Sequence, residues 1–432
     1  LPVDKGPGDA VFAGTINQTG TIECRVTAAA SQSTLARIIH AVEQAQGSRA
    51  PTQRFVDRFA AVYTPAVFVL ALAVAIAGPW LFGWTVLAAL HPLRSRLIVI
   101  GCNTLATSPI VFNCDRVYRV PETATLQAYR EALRAIVLRE QPDLIIPGRD
   151  EELGVLSELA ADHAWSNIRV LAPPPELVPV FNDKLETSHF ATRQGLPFAA
   201  TACEPDTIAA LIEAHGFPLV IKPRIGGHAS KGVRIVTNPA QLQAALGTDN
   251  MLAQECLNPE TLSDLDSFLP NAGIPFYYAV KDQRYAAEWL LDDAGDILSL
   301  QGVISHTEGP QSIHMRLTDD AALIEVATDY ARALAREGLR GVANIQGKKL
   351  ADGRFMPFEL NGRFTGSAAA RAHMGCNQIA PAVCHFLWRE SYANAPLYPD
   401  TTALKLSIFQ GIDQTAIDAL QNNGFWSADG VT

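Results

Sequence analysis

A run of 25 residues without a charged side chain, residues 66–90, constrains the fold of this chain more than any other feature. The run reads AVFVLALAVAIAGPWLFGWTVLAAL, and about 20 apolar residues in a helix are enough to cross the hydrocarbon of a bilayer. The pattern predicts a transmembrane helix that Pro79 would kink, with Trp80 and Trp84 suited to a membrane interface. The alternative is a very apolar buried helix followed by a second helix. Insertion of 66–90 would associate the chain with a membrane.

Downstream of this run, segments typical of buried strands alternate with segments of helical periodicity. The strand-like segments are RLIVIGCN, DRVYRVP, PDLIIPG and NIRVLAP, and the later ones are separated by ATLQAYREALRAIVLREQ and EELGVLSELAADH, which have helical patterns. Alternating strands and helices are typical of a parallel, doubly wound sheet. Since no strand with a glycine turn precedes RLIVIGCN, we expect this sheet to lack its first strand.

The composition is that of a folded protein with several domains. The chain has 432 residues, of which 48% are hydrophobic and 18% are charged, and its net charge is -10. At roughly 100–200 residues per domain, this length predicts about two to four domains. No basic stripe is present, so we expect no nucleic-acid partner. The seven cysteines contain no CxxC pair, which favours reduced thiols over a disulfide framework.

The segment GFPLVIKPRIGGHASKGVRIV, residues 216–236, has the pattern of a phosphate-binding loop. An apolar strand ends in a lysine, and glycines then open a loop. Glycine lets backbone N–H groups approach an anion closely, and lysine supplies a compact positive charge for phosphate oxygens. The segment matches neither a Walker A motif nor GxGxxG, and a purely structural Gly-rich hairpin is the alternative. The candidate residues are Lys222, Gly226, Gly227, Ser230 and Gly232.

A second segment, ANIQGKKLADGRFMPFELNGRF (343–364), predicts a β-hairpin. Its turn is Asp352-Gly353, and Asp-Gly is a preferred two-residue hairpin loop. With that loop, Leu350 pairs with Phe355. A three-residue loop would instead shift the parity of one strand and separate the side chains that the two-residue loop brings together.

Counting back from that turn sets Gln346 opposite Glu359, and Asn344 opposite Asn361. Opposed residues share a face with Cβ atoms about 4.5–5.5 Å apart, so oxygens of Gln346, Glu359 and Asn361 can converge on one cation. Oxygen ligands with one carboxylate suit Mg²⁺ (or Mn²⁺) completed by nucleotide phosphates, and do not suit zinc. Arg363 falls on the same face and can meet a phosphate. The alternative is a polar hairpin face that points to solvent.

Together the two segments resemble the ATP-grasp superfamily, in particular the carbamoyl-phosphate-synthetase-like ligases, over about residues 85–390. The resemblance implies ATP as the nucleotide, with the lysine of NDK (182–184), the lysine of the 216–236 segment and the 226–232 flap at its phosphates. It also implies that MLAQECL (251–257) is the hinge that receives adenine. The nucleotide-binding residues added in this way are Lys184, Gln254, Glu255, Cys256 and Leu257.

The resemblance also implies roles in the chemistry. Lys222 and Arg363 would act on the phosphates, and SHTEGPQS places His306, with Thr307, where the family often has a phosphate-side histidine. The magnesium positions of the family match Gln346, Glu359 and Asn361. The implied activity is ATP-dependent activation of a carboxylate as an acyl phosphate, followed by attack of an amine or similar nucleophile. Small-molecule carboxylates and amines are the expected partners, and the cytoplasm is the expected location of this part.

Three features depart from the family pattern. Arg284 stands where the family usually has the carboxylate that holds the ribose hydroxyls, and Glu288 or Glu260 is a possible substitute. Residues 258–280 form an insertion after the hinge. The missing first strand weakens the front domain, which often helps to build the acceptor-substrate site. The resemblance therefore supports ATP binding better than turnover.

Residues 1–84 closely resemble the latter part of the actuator domain and the following membrane helix of heavy-metal P-type ATPases. LPVDKGPGDAVFAGTINQTG, STLARIIHAVEQAQ and RFVDRFAAVYTP show the resemblance, and the first of them has the alternation of short β-strands. The metal-binding CPC motif and the DKTGT phosphorylation motif are missing from the sequence, so this piece alone would not pump. The chain begins at Leu1 without a Met or a basic leader region, which predicts a piece of a longer protein.

The expected organisation is therefore a fusion with a join near Trp84. The predicted parts are a partial actuator domain (1–50), a linker with the apolar helix (51–90), a Rossmann-like preATP-grasp domain without its first strand (91–180), the ATP-grasp domain (181–390) and a truncated C-terminal extension (391–432). The fold class is α/β: an α+β ATP-grasp fold after an incomplete doubly wound parallel sheet, with a small β-rich N-terminal fragment. The alternatives to a ligase are a fragment of a metal-transporting P-type ATPase and an inactive ATP-binding fusion product. The oligomeric state is not predicted.

Overall fold

The computed structural model divides into two compact units, Leu1–Ala77 and Gly78–Thr432. It describes residues 3–12, 15–27, 89–123, 125–227, 231–247, 250–258, 273–275, 283–308, 311–394, 397, 400–404 and 412–429. Most of the predicted apolar helix, 66–90, lies outside these residues. Within the described part of the chain, no helix has the length and hydropathy needed to span a membrane.

The described residues of the first unit, 3–12 and 15–27, contain turns and exposed extended chain but no strand. Their backbone hydrogen bonds are local, from Asp9 N to Gly6 O at 3.1 Å and from Thr15 N to Phe12 O at 3.2 Å. A strand needs a neighbouring strand to pair its backbone groups, and these residues have none among those described. The short strands predicted here are therefore wrong for the described residues.

The second unit is a mixed α/β structure, as predicted. Its strands are β1 (Ile100–Asn103), β2 (Arg116–Arg119), β3 (Leu144–Ile145), β4 (Arg169–Val170), β5 (Thr201–Ala202), β6 (Leu219–Pro223), β7 (Arg234–Val236), β8 (Met251–Glu255), β9 (Ile274–Pro275), β10 (Gln283–Leu291), β11 (Ile297–Glu308), β12 (Gln311–Thr318), β13 (Gly341–Lys349), β14 (Phe355–Asn361), β15 (Thr402–Leu404) and β16 (Phe425–Ser427).

Helices connect and cover these strands. The α-helices are α1 (Leu126–Glu140), α2 (Leu153–Ala161), α3 (Val178–Asn182), α4 (Lys184–Gln194), α5 (Pro205–His215), α6 (Pro239–Leu246), α7 (Ala321–Arg336), α8 (Ala368–His373), α9 (Ile379–Val383) and α10 (Gln414–Asn423). Short 3₁₀-helices span His91–Arg96, Pro109–Asn113, Asp150–Glu152, His163–Trp165 and Pro175–Leu177, and a π-helical turn covers Cys384–Trp388.

The front domain contains the predicted parallel strands, but in two separate pairs. β1 runs parallel to β2, and β3 runs parallel to β4. β16, from the other end of the chain, pairs antiparallel with β2 and completes a three-stranded sheet. The predicted single doubly wound sheet is therefore only partly correct. The interpretation of 391–432 as an extension missed that Phe425–Ser427 is a strand of the front domain.

Two antiparallel sheets follow. The smaller has the order β5-β8-β6-β7-β9, and apolar side chains of α5 and α6 pack against it. The larger has the order β14-β13-β10-β11-β12-β15. One face of the larger sheet packs against α7 in a core that includes Trp289, Tyr330 and Ile345. Polar side chains of β13 and β14 project from its other face, because side chains alternate along a strand.

The hairpin of β13 and β14 pairs Gln346 with Glu359 and Asn344 with Asn361, as predicted. The predicted pairing at the tip is wrong, because Phe355 pairs with Lys349 and not with Leu350.

Leu350 N donates to Arg354 O at 2.8 Å, so the turn has three residues, 351–353, and not two. Gly353 takes a left-handed conformation (φ 87°), which suits a three-residue turn. A β-bulge between Gln346 and Gly347 then adds a compensating residue and restores the register beyond it. A Cβ at Gly347 would collide with the Met356 carbonyl and the Phe355 ring, so only glycine fits the bulge.

Candidate functional site

A cleft with a volume of about 260 Å³ lies between the two antiparallel sheets. Strands β6 and β8 of the smaller sheet line one side, and β13 and β14 of the larger sheet line the other. Residues 150–151 of the front domain also contribute. The cleft therefore brings together both motifs that the sequence analysis singled out, although 106 residues (237–342) lie between them along the chain.

Lys222 is the buried cation of the cleft. It ends the apolar run of β6, and its side chain is only 5% exposed. Its Nζ donates to Gln254 Oε1 at 2.9 Å and to the Phe358 carbonyl at 2.9 Å. Burial lowers the pKa of Lys222 to about 7, although the Glu359 carboxylate acts in the opposite direction. An anion in the cleft would favour the charged form of this lysine.

Lys184 lies beside the Gly-rich loop. Its Nζ donates to the Gly226 carbonyl at 2.7 Å, and its backbone N donates to Arg224 O at 3.1 Å. Asp183 caps α4 by accepting from Leu185 N and forms an ion pair with Arg224 at 2.7 Å. The N-terminus of α4 and the start of the loop are thus held together.

Gly226 and Gly227 both have positive φ, 75° and 87°, and both line the cleft. This conformation strains residues with a Cβ, so the sequence provides glycine where the loop turns towards the cleft. Gly232 also has a positive φ of 78° and stands at the end of the loop. Ser230 lies outside the described residues.

The hinge candidates line the cleft in different ways. The Gln254 amide accepts from Lys222 and donates to Thr201 Oγ1 at 2.9 Å. The Glu255 carboxylate points away, towards Ala200 N at 2.7 Å and His215 at 3.1 Å. Cys256 and Leu257 follow along the cleft wall. These contacts engage the Glu255 carboxylate on the side of Ala200 and His215.

The predicted magnesium residues share one face. Asn344 Nδ2 donates to the Arg363 carbonyl at 2.8 Å, and Asn361 Nδ2 donates to Asn344 Oδ1 at 3.2 Å. These two bonds use the Asn361 amide nitrogen and not its oxygen, and Asn361, Gln346 and Glu359 all line the cleft. Among the described residues, none donates a hydrogen bond to the Glu359 carboxylate. One carboxylate and two amide oxygens form a donor set of the kind that Mg²⁺ accepts, so these residues fit the ion.

Arg284 borders this face from β10. Its Nη1 lies 3.4 Å from Gln346 Oε1, and Glu359 acts on it electrostatically. Burial lowers the pKa of Arg284 despite the nearby Glu359 carboxylate. Arg284 therefore adds a half-buried positive group to the cleft beside Lys222.

Arg363 is joined to the front domain. Its Nη2 donates to Asp150 Oδ2 at 2.7 Å and its Nε donates to the same oxygen at 3.1 Å. The two side chains are 18% and 15% exposed, so this ion pair is largely shielded from water. It fixes the arginine at the edge of the cleft, where both partners are lining residues.

Two predicted residues lie elsewhere. His306 pairs with Gln283 across β10 and β11, while Arg284 pairs with Ser305, so alternation points His306 away from the face that holds Arg284 and Gln346. His306 is exposed and is not among the residues lining the cleft. Glu288, considered above as a ribose ligand, is completely buried away from the cleft, and Glu260 lies outside the described residues.

Two lining residues escaped the sequence analysis. Lys348 is buried, and its Nζ donates to the Leu257 carbonyl at 3.1 Å. It lies two residues after Gln346, so strand alternation was an available signal. Asp150 begins the 3₁₀-helix that follows β3, and the segments at the carboxyl ends of parallel strands commonly bear ligand-binding residues.

Comparison with known proteins relates the N-terminal part and the larger part of the chain to different proteins. Residues 1–43 match the P-type ATPase actuator domain. The chain is 46% identical over 102 residues to a "Probable cadmium-transporting ATPase" of Listeria monocytogenes, which covers 24% of this chain and 14% of that protein. It is 51% identical over 83 residues to the cadmium-transporting ATPase of Staphylococcus aureus, covering 19% and 11%. The chain thus spans only a small part of these relatives.

Solved structures resemble the larger part of the chain. An L-amino acid ligase from Bacillus licheniformis aligns with a TM-score of 0.53 at 16% identity, covering 70% of this chain and 71% of the ligase. Biotin carboxylase from Campylobacter jejuni gives a TM-score of 0.52 at 18% identity, covering 74% and 71%. An N5-carboxyaminoimidazole synthetase of Staphylococcus aureus, in complex with ADP, gives 0.53 at 13%, covering 73% and 79%. At such identities the likeness shows the fold alone.

Both resemblances stated from the sequence are thereby confirmed. The chain joins an N-terminal segment similar to the actuator domain of P-type ATPases to a larger part with the fold of the ATP-grasp carboxylate–amine ligases.

Proposed function

We propose that the second unit is an ATP- and Mg²⁺-dependent ligase that activates a carboxylate as an acyl phosphate for attack by an amine or a similar nucleophile. The observation that supports this most is the arrangement of Lys222 across the cleft from Gln346 and Glu359. A buried cation and a cation-binding face meet where a nucleotide polyphosphate would lie.

Positive groups outnumber unpaired carboxylates around this position. Lys222, Lys184 and Arg284 border the cleft, while Asp150 is paired with Arg363. Charges in a largely dry cleft attract phosphate oxygens more strongly than charges in water do. The cleft therefore suits the triphosphate of ATP, with adenine against the hinge at Cys256 and Leu257.

The residues of this chain would act mainly by position and charge. Lys222 and Lys184 would neutralise the β- and γ-phosphates, and Arg363, fixed by Asp150, would meet the transferring phosphoryl group. Gln346, Glu359 and Asn361 would hold Mg²⁺, which when bound neutralises charge on the phosphates. The Gly226–Gly227 backbone would cover them. The substrate carboxylate attacks the γ-phosphorus and ADP leaves, after which the amine displaces phosphate from the acyl carbon.

ADP release with a panel of carboxylate–amine pairs tests this proposal on the whole chain. We expect ADP release that depends on the carboxylate and is abolished by Lys222→Ala and by Glu359→Ala. Undiminished turnover in both variants would show that the site is assigned incorrectly.

A metal-transporting P-type ATPase fragment is the second candidate, and residues 1–43 favour it. A pump forms an acid-stable aspartyl phosphate on the protein, whereas a ligase does not. Acid-quenched protein labelled with [γ-³²P]ATP would therefore be radioactive only in the first case. Nucleotide binding without ADP release for any carboxylate would instead support an inactive fusion product.

A further inference from the structure

His306, which the sequence analysis placed at the phosphates, belongs to a row of polar side chains on the other face of the larger sheet. In the strand register, Gln283 of β10 is opposite His306 of β11, and His306 is opposite His314 of β12. Directly opposed residues of antiparallel strands project from the same face, with Cβ atoms about 4.5–5.5 Å apart. Three neighbouring strands therefore bring two imidazoles and one amide together in a single row.

The two imidazole rings are close enough to share one metal ion. The ring centres of His306 and His314 are 6.4 Å apart, and the ring planes are inclined by 63°. Because metal–nitrogen bonds are about 2.0–2.1 Å long, two imidazoles on one ion have ring centres roughly 5–6.5 Å apart. The observed separation is at the upper end of this range. Both histidines are exposed, so small rotations of their side chains shorten it without displacing the core.

The contact with Gln283 identifies the nitrogen of His306 that can bind a metal. Gln283 Nε2 lies 3.2 Å from His306 Nε2, and Gln283 Oε1 lies 3.5 Å from the hydroxyl oxygen of Tyr285. An amide nitrogen only donates hydrogen bonds, so His306 Nε2 is the acceptor of this pair and carries the lone pair that a metal needs. Turning the amide over exchanges its nitrogen for its oxygen, which makes Gln283 Oε1 a third donor at the same place.

The charges around this row do not prevent a cation from binding. Arg316 lies two residues beyond His314 on β12 and therefore on the same face, roughly 7 Å farther along the strand. Its side chain is exposed, so water and salt screen its charge at that distance. Arg284 projects from the opposite face of the sheet, towards Gln346.

We propose that His306 and His314 bind one divalent transition-metal ion of the class of Zn²⁺, Ni²⁺ and Cu²⁺, with Gln283 as an additional oxygen donor and water as the remaining ligand. Imidazole suits these ions, whereas Mg²⁺ prefers oxygen ligands. The site is separate from the proposed Mg²⁺ ligands, which project from the other face of the same sheet. It goes beyond the ligase function and does not depend on it.

A metal ion in this row connects β11 to β12 close to the tip of their hairpin. The two strands join between Glu308 and Gln311, a few residues beyond the histidines. An ion that binds the folded protein and not the unfolded chain stabilises the fold by an amount set by its concentration and its affinity. Metal binding should therefore be visible in the thermal unfolding of the protein as well as in a direct titration.

Calorimetric titration of the whole chain with Ni²⁺, in the presence of excess Mg²⁺, tests this inference. Ni²⁺ is preferred to Cu²⁺ as the probe because Cu²⁺ oxidises thiols, and the chain has seven cysteines. The number of bound ions is compared between the unaltered protein, His306→Asn, His314→Asn and the variant with both substitutions. Each single substitution should weaken the binding of one ion about tenfold or more, since one of its two imidazoles is lost.

The doubly substituted protein distinguishes one shared ion from two separate ones. If both histidines bind the same ion, this variant should also bind only one ion fewer than the unaltered protein. His163→Asn, which removes an exposed histidine of the front domain, is the matched control and should leave the number of bound ions unchanged.

Thermal unfolding gives a second measurement that also checks the folding of the variants. In EDTA, all the variants should unfold at the temperature of the unaltered protein, because the substituted side chains are exposed. Ni²⁺ should raise that temperature in the unaltered protein and in His163→Asn, and raise it less in His306→Asn and His314→Asn.

Three outcomes would overturn the inference. The first is that the unaltered protein binds no Ni²⁺ in excess Mg²⁺. The second is that either His306→Asn or His314→Asn binds Ni²⁺ with the stoichiometry and affinity of the unaltered protein. The third is the loss of two ions in the doubly substituted protein, which would mean that each histidine binds its own ion.

Discussion

The Lys222 ammonium group donates a 2.9 Å hydrogen bond to the carbonyl oxygen of Phe358, and this bond joins the two antiparallel sheets across the cleft. Lys222 belongs to β6 of the smaller sheet, and Phe358 belongs to β14 of the larger one. Phe358 is the residue before Glu359, so the bond holds the lysine next to the proposed metal ligand. Together with the bond from Lys348 Nζ to the Leu257 carbonyl at 3.1 Å, this contact sets the relative placement of the phosphate-binding and metal-binding groups.

Lys222→Ala should lower the rate of carboxylate-dependent ADP release by about 10²–10³, because a preorganised charge at the phosphates is lost. The measurement is a coupled ADP assay at saturating carboxylate. Arg354→Ala, at the exposed tip of the hairpin, is the control and should retain full activity. A rate within about twofold of the unaltered protein in Lys222→Ala would contradict the role given to the lysine.

Nucleotide binding should take up a proton at pH 8. The pKa of Lys222 in the empty cleft is about 7, so the lysine is largely neutral at pH 8. Phosphate oxygens favour the charged form and raise this pKa, so binding adds a proton and the affinity for ATP falls as the pH rises above 7. Below pH 7 the lysine is already charged, and the uptake should vanish. Calorimetry in buffers of different ionisation enthalpy measures the number of protons.

The Lys222→Met variant controls for other groups in that experiment. It removes the titrating amine and keeps the apolar stem, so proton uptake at pH 8 should disappear. If the variant takes up as many protons as the unaltered protein, the uptake belongs to another residue.

Glu359→Gln should weaken Mg²⁺ binding about tenfold or more, since the only carboxylate of the predicted ligand set loses its charge. Titrating Mg²⁺ against protein saturated with ADP gives the apparent affinity. The affinity for nucleotide in the absence of Mg²⁺ should change less, because Lys222 and Lys184 remain to bind the phosphates. Equal Mg²⁺ affinity in Glu359→Gln and in the control Glu325→Gln would rule out the ligand set.

Asp150→Asn should lower the free energy of unfolding by about 1–3 kcal/mol, because it leaves the largely shielded Arg363 without its charged partner. Asp352→Asn removes the exposed partner of Arg354 and should change the free energy of unfolding much less, because water and salt screen a surface ion pair. Chemical denaturation of both variants provides the comparison. Equal effects would mean that Asp150 contributes no more than a surface charge.

Gly347→Ala should destabilise the protein by about 1–3 kcal/mol, because the added Cβ collides with Met356 and Phe355 and must displace the bulge. The displacement should also reduce the affinity for Mg²⁺, because Gln346, a proposed Mg²⁺ ligand, is the residue directly before Gly347. Gly154→Ala, in α2, meets only an ordinary contact with Val178 and should be neutral or stabilising. An unaltered unfolding midpoint in Gly347→Ala would show that the bulge is not required.

The features predictable from the sequence were those set by local pattern. The apolar run into Lys222 and the alternation of β13 and β14 follow from burial on one face, and both were visible in the sequence. The tip was mispredicted because Asp352-Gly353 also suits a three-residue turn. The predicted pairing of Gln346 with Glu359 is nevertheless correct, because the extra residue in the turn and the bulge shift the strand register by one residue in opposite directions. The bulge at Gly347 gave no separate signal in the sequence.

Features that depend on distant parts of the chain were not predictable. β16 joins β2 from more than 300 residues away, and no local pattern indicates such a partner. The Asp150–Arg363 ion pair likewise spans 213 positions. His306 was placed by family resemblance, whereas its face is decided by the register of β10 against β11.

The bulge between Gln346 and Gly347 gives the tip of the hairpin a register that differs by one residue from that of its base. Inserting or deleting one residue in the turn would change the strand pairing only between the turn and the bulge, because the bulge already accommodates a one-residue shift in register. The tip around Asp352 is consequently a position where a tag, a fluorophore or an inserted domain can be attached while the cation-binding groups keep their places.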